Sequence, residues 1–275
     1  KFGIQLAHAG RKASTKRHWM GNGPVDDNDD PWQTVAPSAI AQTEGWHVPE
    51  ALDDAGIERV INAFAAAATR VGRLGFDFAE LHFAHGYLVH EFLSPVANKR
   101  TDQWGGSLEN RMRLAVAVAR AVRKALPSTM PVGARLSATD WVEGGFNPDE
   151  AVIVAKALKA EGFAFICASS GGVDHKAKVP AAPSFQVPLA DKIRREVGII
   201  TRAVGLISDP FVAEDILADG KADMIAMARA FLADPHWVWR AAAALGQDFE
   251  PVAQYRRSTS LIAQWAPQRE KARKT

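Results

Sequence analysis

Glu80-Leu81-His82-Phe83-Ala84-His85-Gly86-Tyr87-Leu88-Val89-His90 is the stretch on which the fold turns. It begins with strand alternation, ends in a turn loosened by Gly86, and delivers two imidazoles and a phenol within six residues. An imidazole can donate a hydrogen bond to a carbonyl or bind a metal, and a phenol can give up a proton. A strand that ends in such a cluster has the character of a barrel rim, where working groups gather at the C-terminal ends of strands.

Outward from this stretch, apolar runs of strand length alternate with segments of helical period. The predicted strands are Phe2–His8, Phe78–Phe83, Pro131–Ser137, Phe163–Ser169, Ile199–Gly205 and Asp223–Ala228. Between them the spacing predicts helices over Gly56–Leu74, Ser107–Leu126, Asn147–Ala157, Gln186–Val197, Asp209–Asp219 and Asp234–Leu245. Asn147-Pro148, Asp209-Pro210 and Asp234-Pro235 each read as a cap followed by proline at the first helical position. Continuous apolar strands alternating with helices imply a parallel sheet covered by helices. No linker interrupts the spacing, so residues 1–275 read as one domain. Residues 10–51 form a long connection rich in Trp, Pro, Asp and Asn, and residues 246–275 a C-terminal extension. Trp19, Trp32 and Trp46 suggest that the long connection is packed down as a capping loop.

The strand count narrows the architecture. A closed (β/α)8 TIM barrel needs eight strands, and six are visible. An open doubly wound sheet would carry a Gly-rich phosphate loop after its first strand, and no such motif occurs. The expectation is an α/β (β/α)8 barrel of which the chain shows strands 3–8 only, its first two strands lying upstream of Lys1.

Bulk composition excludes several classes. Lys+Arg of 33 against Asp+Glu of 31 leaves +2, which argues against a dedicated nucleic-acid surface. The basic residues Arg269, Lys271, Arg273 and Lys274 read as a solvated tail. The single cysteine, Cys167, can build neither an intrachain disulfide nor an iron–sulfur site, so a reducing, cytoplasmic setting is expected. No apolar run of about 18 residues spans a membrane, and no secretory signal is visible.

Each candidate site residue has a bland reading beside the chemical one. His82 and His85 could hold a metal, but no obvious third ligand accompanies them, and three polar groups clustered at one strand end favour a ligand site. Arg135, inside the apolar run Pro131–Ser137, needs an anion or a carbonyl, whether from an ion pair or from a ligand. Gln5 in Phe2–His8 could read a heterocycle or be a satisfied core amide. Gly205, Ala228 and Arg229 end the last two strands, where barrels often bind phosphate; a surface arginine is the plain alternative.

Three stretches resemble the Old Yellow Enzyme flavin oxidoreductases, within them the thermophilic-like bacterial ene-reductase branch. They are Gln5-Leu-Ala-His-Ala-Gly-Arg11, His82-Phe-Ala-His-Gly-Tyr-Leu88 and Asn98-Lys-Arg-Thr-Asp-Gln-Trp-Gly-Gly-Ser-Leu-Glu-Asn-Arg111. The resemblance implies noncovalent FMN at the C-terminal rim and NADPH or NADH as reductant. It implies that Gln5 faces the flavin pyrimidine edge, that Arg135 lies near flavin N1 and C2=O, and that Gly205, Ala228 and Arg229 surround the phosphate. His82 and His85 would bind the carbonyl of an unsaturated substrate, and Tyr87 would protonate its carbon. Arg257 resembles an arginine that enters a neighbouring subunit's site, implying a homodimer or homotetramer. Two departures stand out: Ala228 replaces the usual glycine, and the two leading strands, which normally add flavin contacts, are not in the sequence. A metal-dependent barrel hydrolase using His82 and His85, and a noncatalytic flavin-binding barrel, are the competing expectations. The lack of a cysteine cluster weighs against the iron–sulfur dienoyl-CoA reductase relatives.

Overall fold

The computed structural model describes residues 1–266. The basic residues Arg269, Lys271, Arg273 and Lys274, and with them the end of the 246–275 extension, lie outside the described residues.

Six strands form one parallel sheet: β1 (Gly3–Leu6), β4 (Phe78–Phe83), β5 (Val132–Ser137), β6 (Phe165–Ser169), β7 (Ile200–Ala203) and β8 (Met224–Ile225). Two short strands, β2 (Val35–Ala36) and β3 (Glu50–Ala51), pair separately within the long connection. The main sheet runs β1-β4-β5-β6-β7-β8, in chain order without reversal. A doubly wound sheet reverses its order at a switch point, so this order is that of a barrel wall. It supplies six strands of the expected eight, each predicted run carrying one of them. The last two are shorter than predicted, because the chain leaves the sheet at Val204 and Ala226 to line a cavity.

The helices are α1 (Asp54–Leu74), α2 (Leu88–Leu93), α3 (Leu108–Arg111), α4 (Arg113–Ala125), α5 (Pro148–Ala160), α6 (Val187–Val197), α7 (Pro210–Ala218), α8 (Arg229–Ala233), α9 (Trp237–Ala244) and α10 (Thr259–Trp265). Two proline starts behave as predicted. Asn147 accepts from the N–H groups of Asp149 and Glu150, and Asp209 from those of Phe211 and Val212. Asp234-Pro235 does not: α9 begins at Trp237, and Asp234 instead ends α8 while accepting from His236 N–H and Arg240. The predicted helix Ser107–Leu126 divides at Met112 into α3 and α4. The short helix α2 is too brief for a periodic pattern and was not foreseen.

Strand alternation sorts side chains to two faces. Ala79, Leu81 and Phe83 join Phe64 and Val71 of α1 and Leu114, Val118 and Val122 of α4 in the core between sheet and helices. Each buried Leu or Phe there contributes about 1.5–3 kcal/mol. Glu80 and His82 alternate to the other face, toward the barrel interior. Glu80 pairs with Arg202 of β7, although β5 and β6 lie between their strands. Arg202 Cζ sits 5.2 Å from the centre of the Phe165 ring. This ion pair crosses the barrel interior beneath the rim.

The long connection is held differently from expectation. Trp19 is 81% and Trp32 59% exposed, so these two do not pack it down; only Trp46 is half-buried. Polar ties do the work instead. The buried Arg11 guanidinium donates to the carbonyls of Ile40, Ala41 and Val173, and Ser14 Oγ accepts from Trp32 N–H. Arginine suits this because its fixed fork of donors satisfies several carbonyls at once. Among the described residues no helix is long and apolar enough to cross a membrane.

Candidate active site

The turn after β4 carries the quoted cluster. Tyr87 N–H closes it on Ala84 C=O at 3.1 Å, and Leu88 N–H reaches His8 C=O at 2.9 Å. His85 and Gly86 both take positive φ, 60° and 70°. Glycine is required at Gly86, since a Cβ there would strike the Gly172 carbonyl of the loop after β6. His85 has no such freedom, and its strained backbone is pinned from two sides. Ser137 Oγ accepts His85 N–H at 2.9 Å and donates to Gly171 C=O at 2.9 Å. Lys12 Nζ donates to His85 C=O at 2.8 Å and also to Gly172 C=O.

So held, three rings converge. The His82 centroid lies 5.0 Å from that of His85 and 4.9 Å from that of Tyr87. His82 is buried, and its Nδ1 has no hydrogen-bond partner in the protein. Ser169 Oγ stands 2.7 Å from His85 Nε2. Burial, reinforced by the Arg135 guanidinium, pushes the His82 imidazole down to about 4 and His85 to about 2. Both rings are neutral at neutral pH.

Two cavities meet at this turn, and His85 lines both. One, of about 430 Å³, lies under the long connection and is lined by Lys12, Trp46, His85, Tyr87 and His175. The other, of about 490 Å³, is bounded by Arg135, Ser169, Gln186, Gly205, Ala228 and Arg229. Arg135 is level with His82 on one side and Cys167 on the other. Its Nε is buried without a partner, and among the described residues its one hydrogen bond is a long 3.5 Å contact to Ser169 Oγ. A half-buried cation with so few partners suits an anionic or carbonyl group in the cavity. Gly205 has φ 126°, and a Cβ on it would come within 2.9 Å of Gln186 Nε2. Its bare backbone therefore forms part of the wall. Ala228 adopts φ −119° and ψ −72°, away from the left-handed region that favours glycine, so alanine can stand in place of the usual glycine.

The structure thus brings together seven of the residues singled out from sequence: His82, His85, Tyr87, Arg135, Gly205, Ala228 and Arg229. Gln5 stands apart from the two cavities. It is exposed on the edge strand β1, and its amide donates to Glu80 Oε1 at 2.6 Å. Arg257 is exposed on the 3-10 segment Ala253–Ser258 and lines neither cavity. Sequence reading missed Lys12, Ser169 and Gln186. Ser169 was within reach, because Phe165, Cys167 and Ser169 alternate to one face of a predicted strand. Gln186 gives no such signal. It links loops distant in sequence, accepting from Ser170 Oγ at 2.6 Å and donating to Val204 C=O at 3.0 Å.

The donor set fits FMN: a half-buried arginine with an unpartnered Nε for the polar edge of a flavin, and open backbone with Arg229 for a phosphate. Comparison with known proteins agrees. Residues 1–248 match the NADH:flavin oxidoreductase / NADH oxidase family. The NADPH dehydrogenase of Geobacillus sp. (strain WCH70) is 42% identical over 257 residues, which is 94% of this chain and 70% of that one. A 2-naphthoyl-CoA reductase matches with a TM-score of 0.76 at 28% identity, covering 89% of this chain and only 38% of that one. The old yellow enzyme homologue of Zymomonas mobilis matches with a TM-score of 0.68 at 26% identity, covering 96% of this chain and 72% of that one. The chain belongs to the NADH:flavin oxidoreductase / NADH oxidase family, the Old Yellow Enzyme group of FMN-dependent NAD(P)H oxidoreductases built on a (β/α)8 barrel.

Proposed function

We propose that the protein is an ene-reductase, reducing the activated C=C bond of α,β-unsaturated carbonyl compounds. The observation that carries this reading is the neutral His82 imidazole set between the neutral His85 imidazole and the Tyr87 ring, with His82 Nδ1 buried and unpartnered. A polar ring nitrogen held out of water without a partner is suited to a ligand.

When bound, FMN supplies the hydride, drawn from NAD(P)H, that adds to the alkene β carbon. Arg135, Gly205, Ala228 and Arg229 would hold it. The chain's own residues manage the rest. His82 Nδ1–H donates to the substrate carbonyl oxygen. Ser169 Oγ lies 2.7 Å from His85 Nε2 and 3.3 Å from Gln186 Oε1; with its proton turned to the imidazole it would leave His85 Nδ1–H as the second donor. Negative charge grows on that oxygen as the alkene is reduced, and the two fixed donors stabilise it where it develops. Because both imidazoles are neutral, they polarise the carbonyl without surrendering a proton. Tyr87 delivers the proton to the α carbon, a general-acid step. Gln5, now bonded to Glu80, would turn to the flavin only by exchanging that partner.

The metal-hydrolase alternative gains no support from the donor set. Among the described residues no group of three His, Cys, Asp or Glu side chains could hold a metal ion at His82 and His85. The visible spectrum of the flavin-loaded protein tests the proposal against the noncatalytic reading. NADPH should bleach the flavin band and cyclohexenone should restore it under anaerobic conditions. A bleached band that cyclohexenone leaves unchanged would refute the ene-reductase reading.

A further inference from the structure

The turn bearing His85 and Tyr87 is also held from behind, by groups that line neither of the two cavities. Gly86 N–H donates to His90 Nδ1 at 2.8 Å. His90 Nε2 lies 2.9 Å from Asp140 Oδ1. Asp140 Oδ2 accepts from Ser94 Oγ at 2.6 Å and from Phe146 N–H at 2.7 Å. His90, Ser94 and Asp140 are all fully buried. The chain of bonds joins the catalytic turn, helix α2 and the loop between β5 and α5.

The arrangement fixes a tautomer. His90 Nδ1 accepts the Gly86 N–H, so it carries no proton, and Nε2–H must donate to Asp140. Burial alone would raise the Asp140 carboxyl; the His90 imidazole, the Ser94 hydroxyl and the Phe146 N–H outweigh it and hold the group below the usual range. Asp140 is therefore a carboxylate with three donors aimed at it.

We infer that Asp140 is a positioning residue for the reaction: by holding His90 with its proton on Nε2, it keeps Nδ1 free to anchor Gly86 N–H, and so sets the turn that presents His85 and Tyr87. This rests on the reading of Tyr87 as proton donor. A ligand-free carboxylate can govern catalysis in this way, because a wrong tautomer turns an acceptor into a donor and breaks the geometry it supported. Asp140→Asn makes the conflict explicit. Ser94 O–H and Phe146 N–H both require oxygen at the Oδ2 position, so the new NH₂ faces His90. It then demands an acceptor at Nε2, moves the ring proton to Nδ1, and sets Nδ1–H against Gly86 N–H.

The experiment uses flavin-loaded protein labelled with ¹⁵N-histidine. The His90 ring nitrogens are read by NMR, and the two half-reactions are timed separately with NADPH and with cyclohexenone. Wild type should show His90 as the Nε2–H form, and Asp140→Asn as the Nδ1–H form. The variant should reduce cyclohexenone about 10²-fold more slowly, as a displaced reacting group does, while NADPH oxidation stays within about twofold. An unchanged cyclohexenone rate with an inverted tautomer would overturn the inference, as would an equal fall in both half-reactions, which marks a general structural role. Should Asp140→Asn not fold, His90→Asn and His90→Leu decide. The asparagine keeps an acceptor for Gly86 and should retain the alkene rate within a few-fold of wild type, whereas the leucine loses it. Equal rates in the two overturn the inference. Failure of the Tyr87 reading shows separately, as an unchanged alkene rate in Tyr87→Phe.

Discussion

His82 and Tyr87 meet edge to face, with 4.9 Å between ring centroids and 82° between ring planes. The contact makes one side chain both a wall for the phenol and a donor to a ligand. Replacing His82 therefore separates the two duties. His82→Asn keeps a neutral donor and should retain part of the alkene rate. His82→Ala loses donor and wall together, and alkene reduction should fall by about 10²–10³-fold, as when one oxyanion-binding donor is removed. Stopped-flow reoxidation by cyclohexenone measures both; equal rates for the two variants would remove His82 from the clamp.

The neutral imidazoles carry a stability signature. His82 is held down to about 4 and His85 to about 2, from 6.5 in each case, first by burial and then by Arg135. As pH falls below 6.5 the unfolded chain takes up these protons while the folded chain resists, so stability is full above 6.5 and is lost as pH falls toward 4. The urea midpoint should drop between about pH 7 and about pH 5, and a His82→Gln/His85→Gln double variant should lose part of that slope. A midpoint equally pH-dependent in both proteins would contradict the assignment.

Glu91 slopes the other way. Burial raises its carboxyl from 4.5 to about 8, against the pull of Arg11 and Lys12, and Oε2 has no partner. The stability it contributes is whole below pH 4.5 and is lost as pH rises through about 8. Glu91→Gln keeps an oxygen to accept Arg11 N–H and removes the charge. Its urea midpoint should exceed the wild-type value at about pH 9 and match it near about pH 5. A variant less stable at both values would show that the ionised carboxylate is needed.

The Glu80–Arg202 pair beneath the rim joins a buried carboxylate to a half-buried guanidinium. Arg202→Met leaves Glu80 buried with only the Gln5 amide, and should cost about 3–5 kcal/mol in urea unfolding. Adding Glu80→Leu should recover much of the loss. A cost below about 1 kcal/mol would mean that water reaches the pair and screens it.

Much of this was legible before the fold was seen. The strands were visible because a parallel sheet covered by helices needs continuous apolar runs, and Pro131–Ser137 and Phe163–Ser169 are such runs. His82, His85 and Tyr87 were visible because one turn delivers all three. Chain-order pairing of the strands, which decides barrel against doubly wound sheet, had to be inferred from a missing phosphate loop and is explicit only in the sheet. What stayed hidden was long-range. Trp19 and Trp32 suggested a packed loop, yet Arg11 secures it through backbone carbonyls that no side-chain pattern reveals. Asp140 lies 50 residues from His90, and only the fold shows that they are bonded.

In the proposed ene-reductase reaction, Tyr87 supplies the proton. Single-turnover kinetics of flavin-loaded Tyr87→Phe test it most directly. In that variant NADPH should reduce the flavin within about twofold of the wild-type rate, and reoxidation by cyclohexenone should slow by about 10²–10⁴-fold, the usual share of a general acid. Reoxidation at the wild-type rate would contradict it.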